Sequence, residues 1–360
     1  MDENMKILIL PGDGVGKEVT SEAEKVINVI SELYNLEIET DFGFFGGIAV
    51  DKFNNPFPYE TKKKIKNCDA VLLGAVGGPE YDSLSKEKKP ESGLLELRKK
   101  LNLFINIRPI ISFKELVNFS TIKNEYIDDL DIVIIRELVS GLYFGEPRGF
   151  NKDFTEAFNT MRYNQDEITR ISDFAFKLAQ NRSKKLCSVD KANVLEVSQL
   201  WRTTIGEISL NYKNVDLSHM YVDNAAMQLV QNPKQFDVIV TENLFGDILS
   251  DIASVLTGSI GMLPSASLNQ DGFGVYEPIH GSAPDISEQN IVNPIATILS
   301  VAMLFQNTFM RQDIYDHILK SVKLVLKDGK YTKDLSNEGY ISTTDMGDFI
   351  VEKIKGIASE

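Results

Sequence analysis

Residues 236–251 read FDVIVTENLFGDILSD, and the rest of the chain is organised around this stretch. The β-branched run Val238–Val240 predicts a buried parallel strand, and the apolar spacing that follows predicts a helix from Leu244 to Leu256. Asp247 and Asp251 are four residues apart in that helix, so their like charges share one face and repel. A bound Mg²⁺ or Mn²⁺ would relieve the repulsion, because both ions prefer oxygen ligands. A solvated acidic face would explain the same spacing.

Size and charge limit what the chain can be. Its 360 residues predict about two domains with a large buried core. A net charge of −14 and an isoelectric point of about 4.9 argue against a nucleic-acid-binding protein. No apolar run approaches the ~20 residues that span a bilayer. We expect a cytoplasmic protein, because only Met1–Met5 precede the first predicted strand, and Cys68 and Cys187 are predicted to be reduced thiols.

Strands alternate with helices along much of the sequence, which predicts an α/β fold with substantial parallel sheet. The strand predicted at 103–107 stops before Arg108, and the strand at 130–135 stops before Arg136. A helix is predicted at 194–212. Residues 143–158 are rich in aromatic residues, Gly and Pro, and are predicted to form a loop with short strands, a hairpin arm for a subunit contact.

The glycine-rich segment PGDGVGK at 11–17 follows a predicted strand and opens a helix, as a dinucleotide-binding loop would. Its spacing is not G-x-G-x-x-G, and no Gly-Lys-Ser/Thr completes a phosphate-binding loop. We therefore interpret it as a tight turn at the start of a helix.

Arginines recur near predicted strand ends. Arg108 and Arg136 would each stand directly after an apolar strand, where ligands gather in α/β sheets, and Arg98 lies on a nearby predicted helix. Guanidinium groups bind carboxylates through two hydrogen bonds, so the three predict an anionic substrate. Considered singly, each arginine is equally explained as a surface residue with an incidental ion pair.

Four further polar groups have a structural interpretation, and three of them also have a chemical one. Tyr143 lies in a glycine-bracketed loop just past Arg136, where packing would explain a tyrosine. Lys191, after a strand, is solvated or acts as a base. Asp223 is predicted to be a helix N-cap or a third metal ligand. The loop EPIHGSAPDI at 277–286 is simply structured, or its acidic side chain hydrogen-bonds a ribose hydroxyl.

Taken together, these segments resemble the isocitrate and isopropylmalate dehydrogenases, a family of β-decarboxylating dehydrogenases. The most specific segment is NLFGDILSDIASVLTGSIGMLPSASL at 243–268. The motifs RELVSGLYFGEPRG, VDKANVLEVSQLWR, MYVDNAAMQLV and HGSAPDI occur in the expected order, and the resemblance covers nearly the whole chain. It implies a two-domain α/β fold with a mixed, largely parallel sheet and a non-Rossmann NAD site. The NAD-binding domain would comprise 1–103 and 258–360, and a central domain at 104–257 would carry the dimer interface and metal ligands.

The resemblance also implies roles for individual residues. Tyr143 would protonate the enol, with its phenol pKa lowered by the lysine and arginines beside it. Lys191 of the partner subunit would help remove the 2-hydroxyl proton. Mg²⁺ or Mn²⁺ would be bound by Asp247, Asp251 and the partner's Asp223. The residues expected to contact substrate are Arg98, Arg108, Arg136, Asp223, Leu94, Leu95 and Val194. The residues expected to bind NAD are Gly261, Glu277, His280, Gly281, Ser282, Ala283, Asp285 and Asn293.

The substrate expectation depends on ESGLLELRK at 91–99. Isocitrate-type members of the family place small polar residues there, whereas Leu94 and Leu95 would form an apolar pocket that selects an alkyl group. The expected reaction is oxidative decarboxylation of 3-isopropylmalate to 4-methyl-2-oxopentanoate and CO₂, in leucine synthesis, by a homodimer. NADP-dependent relatives carry basic or aromatic residues where Asp285 stands, which favours NAD.

Two alternatives remain open at this stage. The first is a sister enzyme that acts on malate, tartrate or homoisocitrate with the same groups. The second is an inactive relative that only binds a ligand or serves as a regulatory subunit. One segment also departs from the family pattern: Ser287-Glu288-Gln289-Asn290 replaces the usual small or basic residues, and its extra carboxylate near the adenosine end bears on NAD affinity.

Overall fold

The computed structural model describes residues 4–336 and 338–358, apart from the side chain of Asn118. Strands and helices alternate along these residues, as predicted. The strands are β1 (Met5–Gly12), β2 (Ile38–Phe42), β3 (Ala70–Ala75), β4 (Ile105–Ile111), β5 (Asp131–Glu137), β6 (Gly149–Phe150), β7 (Ala157–Phe158), β8 (Lys185–Asp190), β9 (Asp216–Tyr221), β10 (Val238–Thr241), β11 (Pro264–Leu268) and β12 (Gly274–Pro278). The α-helices are α1 (Gly16–Tyr34), α2 (Gly47–Phe53), α3 (Tyr59–Ile65), α4 (Pro90–Lys100), α5 (Asn124–Ile127), α6 (Gln165–Gln180), α7 (Glu196–Ser209), α8 (Val222–Gln231), α9 (Asn243–Ser254), α10 (Ile295–Asn307), α11 (Gln312–Lys327) and α12 (Thr343–Ile357).

The first of two compact units comprises Met1–Leu101, Phe113–Ser120 and Gly258–Glu360. Its strands run in the order β2-β1-β3-β12-β11, and only β11 is antiparallel to its neighbour in this set. Helix α10 is buried from Ile295 through Phe305, so it forms the centre of the helical layer. Helices α1 and α11 pack on α10, and α12 packs on α1 and α11; each of the three buries one apolar face.

The second unit comprises Asn102–Ser112 and Thr121–Thr257. Its strands run in the order β4-β5-β10-β8-β9, all parallel to their neighbours except the β4–β5 pair. The mixed, largely parallel sheet is therefore confirmed. The predicted domain boundaries at 103/104 and 257/258 remain a prediction.

The strand carrying Arg108 differs from the prediction. Arg108 lies in the middle of β4, which continues through Pro109. Pro109 pairs with Val133, whose N–H donates to Asp237 O at 2.8 Å on the opposite side of β5. Pro109 therefore occupies a position that donates no hydrogen bond to β5, where its missing N–H costs this ladder nothing. The prediction that Arg108 follows the strand is wrong. The same prediction for Arg136 is also wrong, because β5 continues through Arg136 to Glu137.

Two helix boundaries also differ. Helix α7 spans Glu196–Ser209, because residues 191–195 form a turn before it. Asp223 is in the first turn of α8 and is not its N-cap, a position that Tyr221 occupies. Residues 143–158 contain the predicted short strands, β6 and β7, which pair in an antiparallel hairpin with exposed Phe150 and Phe154.

Both cysteines are free thiols, as expected. Across the described residues, no helix is both long enough and apolar enough to cross a bilayer.

Candidate active site

Arg108 and Arg136 project from the same face of the sheet. In the antiparallel β4–β5 pair, Asn106 stands opposite Arg136, and Arg108 stands opposite Ile134. Residues two apart in a strand share a face, so both guanidinium groups lie on one side as diagonal neighbours. Both are buried, with side-chain exposures of 9% and 2%. The strand register thus concentrates two positive charges at one place.

Helix α9 covers these arginines and supplies their counter-charge. Asp247 accepts from Arg136 Nη1 at 2.5 Å, and Arg108 Nη2 lies 3.5 Å from the same oxygen. The other carboxylate oxygen accepts from the Tyr143 hydroxyl at 2.7 Å. The close approach requires Gly246, since a Cβ there would lie 2.7 Å from Arg136 Cβ. One carboxylate thus links three of the predicted site residues.

Asn243 is a site residue that the sequence analysis missed. Its Oδ1 accepts from Arg136 Nε at 3.0 Å and from Nη2 at 2.8 Å, while its Nδ2 donates to Ser140 O at 3.0 Å. This buried amide holds the Arg136 guanidinium in one orientation. Its position two residues after a strand end, at the first residue of the helix that carries Asp247, is the signal that could have found it.

Tyr143 lies in a single 3₁₀ turn at Gly141–Tyr143. Burial, followed by the hydrogen bond to Asp247, raises its pKa to about 12, and the neighbouring arginines only partly oppose this. We expected the nearby cations to lower the pKa of this phenol. In the structure it is raised, because burial and the hydrogen bond to negatively charged Asp247 favour the protonated phenol and outweigh the arginines.

The predicted metal ligands Asp247 and Asp251 lie one helical turn apart on α9, and Asp251 is exposed. The pKa of the Asp251 carboxyl is raised, chiefly because the group is partly buried. Asp247 also raises it, while Arg108 and Arg136 oppose the shift. A divalent cation would reverse this shift by favouring both charged carboxylates. The oxygen donors therefore fit Mg²⁺ or Mn²⁺. Among the described residues of this single chain, no three acidic, His or Cys groups lie together as a cation site.

Lys191 and Asp223 form a separate pair in the same unit. Lys191 follows β8, and its Nζ donates to Asp223 Oδ2 at 2.6 Å. This hydrogen bond lowers the pKa of the fully exposed Asp223 carboxyl. Val194, in the turn after Lys191, is 60% exposed. Lys191 and Asp223, the two residues predicted to serve the partner subunit, therefore present polar groups to the outside of this unit.

In the first unit, Arg98 pairs with Glu277 at 2.7 Å, and both side chains are nearly buried. Arg98 Nε is also buried and has no hydrogen-bond partner among the described residues. Leu94 and Leu95 are half-buried on the same helix, α4. The ion pair thus joins a predicted substrate residue to a predicted cofactor residue.

Residues 277–293, here called the cofactor loop, contain most of the predicted NAD contacts. His280 Nδ1 lies 2.9 Å from Gly281 O, and since a carbonyl only accepts, Nδ1 carries the proton. Burial lowers the pKa of His280, so its ring is neutral and Nε2 is an acceptor. That atom is buried without a hydrogen-bond partner among the described residues. Such an atom fits a ligand that donates a hydrogen bond.

The other predicted cofactor residues have mixed exposure. Ser282 and Asn293 are buried, while Gly281 and Asp285 are exposed; Ala283 is half-buried with φ +39°. A Cβ at Gly261 would come within 2.9 Å of Asn293 Cβ, so a glycine permits this close packing. Asn293 Nδ2 also donates to Asp334 at 3.1 Å.

The comparisons with known proteins identify the family of the chain. The model of the isocitrate/isopropylmalate dehydrogenase family matches residues 6–350. The chain belongs to this family. A 3-isopropylmalate dehydrogenase of Chromobacterium violaceum is 54% identical over 96% of this chain and 99% of its own length. One from Prochlorococcus marinus is 52% identical over 98% of this chain and 100% of its own length.

The solved structures similar to this chain include an isocitrate dehydrogenase from Methylococcus capsulatus, with a TM-score of 0.86 and 34% identity over 98% of this chain and 99% of that chain. A β-decarboxylating dehydrogenase from Thermococcus kodakarensis has a TM-score of 0.79 and 32% identity, over 99% and 97% of the two chains. Membership of the family implies a dehydrogenase that acts on a small molecule with a nicotinamide cofactor and a divalent metal ion.

Proposed function

We propose that the chain is an NAD-dependent 3-isopropylmalate dehydrogenase that forms 4-methyl-2-oxopentanoate and CO₂, a step of leucine biosynthesis. The observation that carries the proposal is the group of Arg108, Arg136, Tyr143 and Asp247, joined through one carboxylate. It occurs in a chain that is more than half identical to enzymes of that name over nearly its whole length.

The arginines would bind the carboxylates of the substrate. A dianionic malate would compete with Asp247 for the two guanidinium groups, and the fork geometry of Arg suits a carboxylate. Asn243 would keep Arg136 in place during that exchange, since two of its donors already bond the amide oxygen. Leu94 and Leu95 would contact the isopropyl group and leave an additional carboxylate without a partner.

The acidic residues would hold the metal. Asp247 and Asp251, with Asp223 of the partner subunit, would bind Mg²⁺ or Mn²⁺, which when bound supplies Lewis-acid stabilisation of negative charge on the substrate oxygens. Tyr143 would hold its proton until an enol forms, and a phenol pKa raised to about 12 supports its presence as the protonated donor. Lys191 of the partner subunit would accept the proton of the 2-hydroxyl group.

The cofactor would bind along the cofactor loop. His280 Nε2 would accept a hydrogen bond from it, and exposed Asp285 would accept from a ribose hydroxyl and repel a 2′-phosphate. These features favour NAD over NADP.

A homodimer would complete each site. On α8, Asp223, Met227 and Val230 follow i, i+4, i+7 spacing and are all exposed, so one face carries a metal ligand beside apolar side chains. Exposed Ile248 on neighbouring α9 extends this surface beside Asp251. Apolar surface of this kind supports a subunit contact. The cytoplasmic location stays a prediction from the sequence.

The test is the initial rate of NADH formation with 3-isopropylmalate, isocitrate and D-malate, each with NAD or NADP. We expect 3-isopropylmalate with NAD to give the highest kcat/KM, and EDTA to abolish turnover until Mg²⁺ or Mn²⁺ is restored. Faster turnover of isocitrate or D-malate would contradict the proposed substrate. Turnover that persists in EDTA would contradict the proposed requirement for a bound metal ion.

A further inference from the structure

Glu18 on helix α1 hydrogen-bonds the backbone of the cofactor loop. The Glu18 carboxylate accepts the backbone N–H of Glu288 at 2.8 Å through one oxygen and that of Asn290 at 2.9 Å through the other. A carboxylate that accepts two backbone donors makes two charge-assisted hydrogen bonds, the stronger class. Glu18 therefore bonds directly to the segment in which this sequence departs from the family pattern.

That segment needs an external anchor because of its backbone conformation. Glu288 and Asn290 have φ values of +62° and +56°, in the left-handed region that side-chain-bearing residues seldom adopt. Their N–H groups point at Glu18 in this conformation. Without the carboxylate, both donors would need water, and the left-handed turns would lose the bonds that offset their strain.

A second set of bonds fixes the other side of the segment. Asn290 Oδ1 accepts from Thr344 N at 3.1 Å and from its hydroxyl at 2.9 Å, and Asn290 O accepts from Thr343 N at 3.0 Å. The Thr343 hydroxyl donates to Val292 O at 2.7 Å. Closer to His280, Val15 N donates to Ser282 O at 2.9 Å. The loop is thus bonded to α1 and to the start of α12.

We propose that Glu18 is a positioning residue for the dinucleotide: by bonding Glu288 and Asn290 it fixes the conformation in which the cofactor loop binds the cofactor. This rests on the proposed function, since it takes residues 277–293 as the cofactor site. The two hydrogen bonds described for Glu18 both go to the cofactor loop, so its effect falls on cofactor affinity.

The experiment measures NAD binding by calorimetry with the full-length protein. Glu18→Ala should weaken NAD binding about tenfold, the loss expected for roughly one charge-assisted hydrogen bond. Glu18→Gln should lose less, since its amide oxygen still accepts one N–H. Glu24→Gln removes a negative charge from the same helix and should leave the Kd unchanged.

Two further readouts separate positioning from general damage. Hydrogen–deuterium exchange of the peptide containing residues 284–293 should be faster in Glu18→Ala than in the parent, while exchange of α10 should not change. The KM for 3-isopropylmalate and the kcat at saturating NAD should stay within about twofold of the parent values, a difference well below the tenfold step.

Distinct outcomes overturn distinct claims. An unchanged NAD Kd in Glu18→Ala would overturn the role of Glu18 while leaving the proposed function intact. An equal loss in Glu24→Gln would also overturn it, because charge alone would then be the cause. If the parent protein binds neither NAD nor NADP, the proposed function fails, and the inference fails with it.

Discussion

Glu242 is a buried carboxyl group at the residue before α9. Its Oε1 accepts from the Ser198 hydroxyl at 2.6 Å, while Oε2 is buried with no partner among the described residues. Burial, with a smaller contribution from Asp190, raises its pKa to about 7 from an ordinary value of 4.5. The folded protein therefore holds a proton that the unfolded chain releases between these two pH values.

We predict that this proton makes the protein less stable as pH rises. The native state binds more protons than the unfolded state between about pH 4.5 and 7, so the free energy of unfolding falls across that window. One pKa unit corresponds to about 1.4 kcal/mol, so Glu242→Gln should remove up to roughly 3 kcal/mol of this loss. Urea unfolding at pH about 5 and about 8 measures it.

The matched control for this prediction is Glu196→Gln, a change at an exposed glutamate near Ser198 on α7. It should retain the full pH dependence. Glu137, buried and also raised to a pKa of about 7, will leave part of the slope in either variant. A Glu242→Gln variant with the parent's pH dependence would show that Glu242 stays ionised when folded.

At the same scale, the sequence identified residue types better than their partners. Arg108 was placed at a strand end because Pro109 normally stops a strand, but only the pairing with Val133 shows that the missing N–H is harmless here. The pKa of Tyr143 was expected to fall, because sequence order shows nearby cations but not the hydrogen bond between the phenol and Asp247. Asn243 was missed because its contact with Arg136 depends on how α9 lies over β5.

At the scale of elements, the start of α6 makes a clear prediction. Asn164 Oδ1 accepts from Glu167 N, and Glu167 Oε2 accepts from Asn164 N, both at 2.9 Å, which is a capping box. Asn164→Ala should lower the free energy of unfolding by about 1 kcal/mol, and Asn164→Asp should largely retain it. Chemical denaturation measures both variants.

Asn181→Ala is the control, because Asn181 ends the same helix through its backbone N–H at an ordinary φ of −88°. Its loss should be much smaller. Equal losses at the two positions would mean that the Asn164 side chain contributes nothing specific as a cap.

Long periodic elements were predictable, while short or polar ones were not. The apolar spacing of the sequence predicts helices at 17–34 and 164–181, and α1 and α6 match these ranges to within one residue at each end. The seven-residue helices α2 and α3 carry too few turns to show a period. Strand β11 reads PSASL and is fully buried without an apolar pattern; its pairing with β12, a tertiary contact, makes it a strand.

At the scale of the whole molecule, the predicted residues separate into two sets that the family resemblance assigns to different subunits. Tyr143, Asp247 and the two arginines bond to one another. Half-buried Lys191 bonds to exposed Asp223 elsewhere in the same unit. Sequence resemblance assigned the second set to the partner subunit, and a single chain cannot display that arrangement.

We predict that two inactive variants will complement each other if the site is shared. Tyr143→Phe and Lys191→Ala should each lower kcat by orders of magnitude. In a mixed dimer, one site would combine an intact Tyr143 with the partner subunit's intact Lys191. Random exchange of equal amounts should restore roughly a quarter of the parent activity, since half the dimers are mixed and each has one intact site.

The control mixes Tyr143→Phe with Asp247→Asn. These two side chains are hydrogen-bonded within one chain at 2.7 Å, so every site in a mixed dimer keeps one defect and activity should not return. Size-exclusion chromatography and an exchange time course with differently tagged subunits establish that mixed dimers form. If mixed dimers form and Lys191→Ala still fails to rescue Tyr143→Phe, each subunit must use its own Lys191. The Lys191–Asp223 pair would then have to reach Tyr143 within one chain.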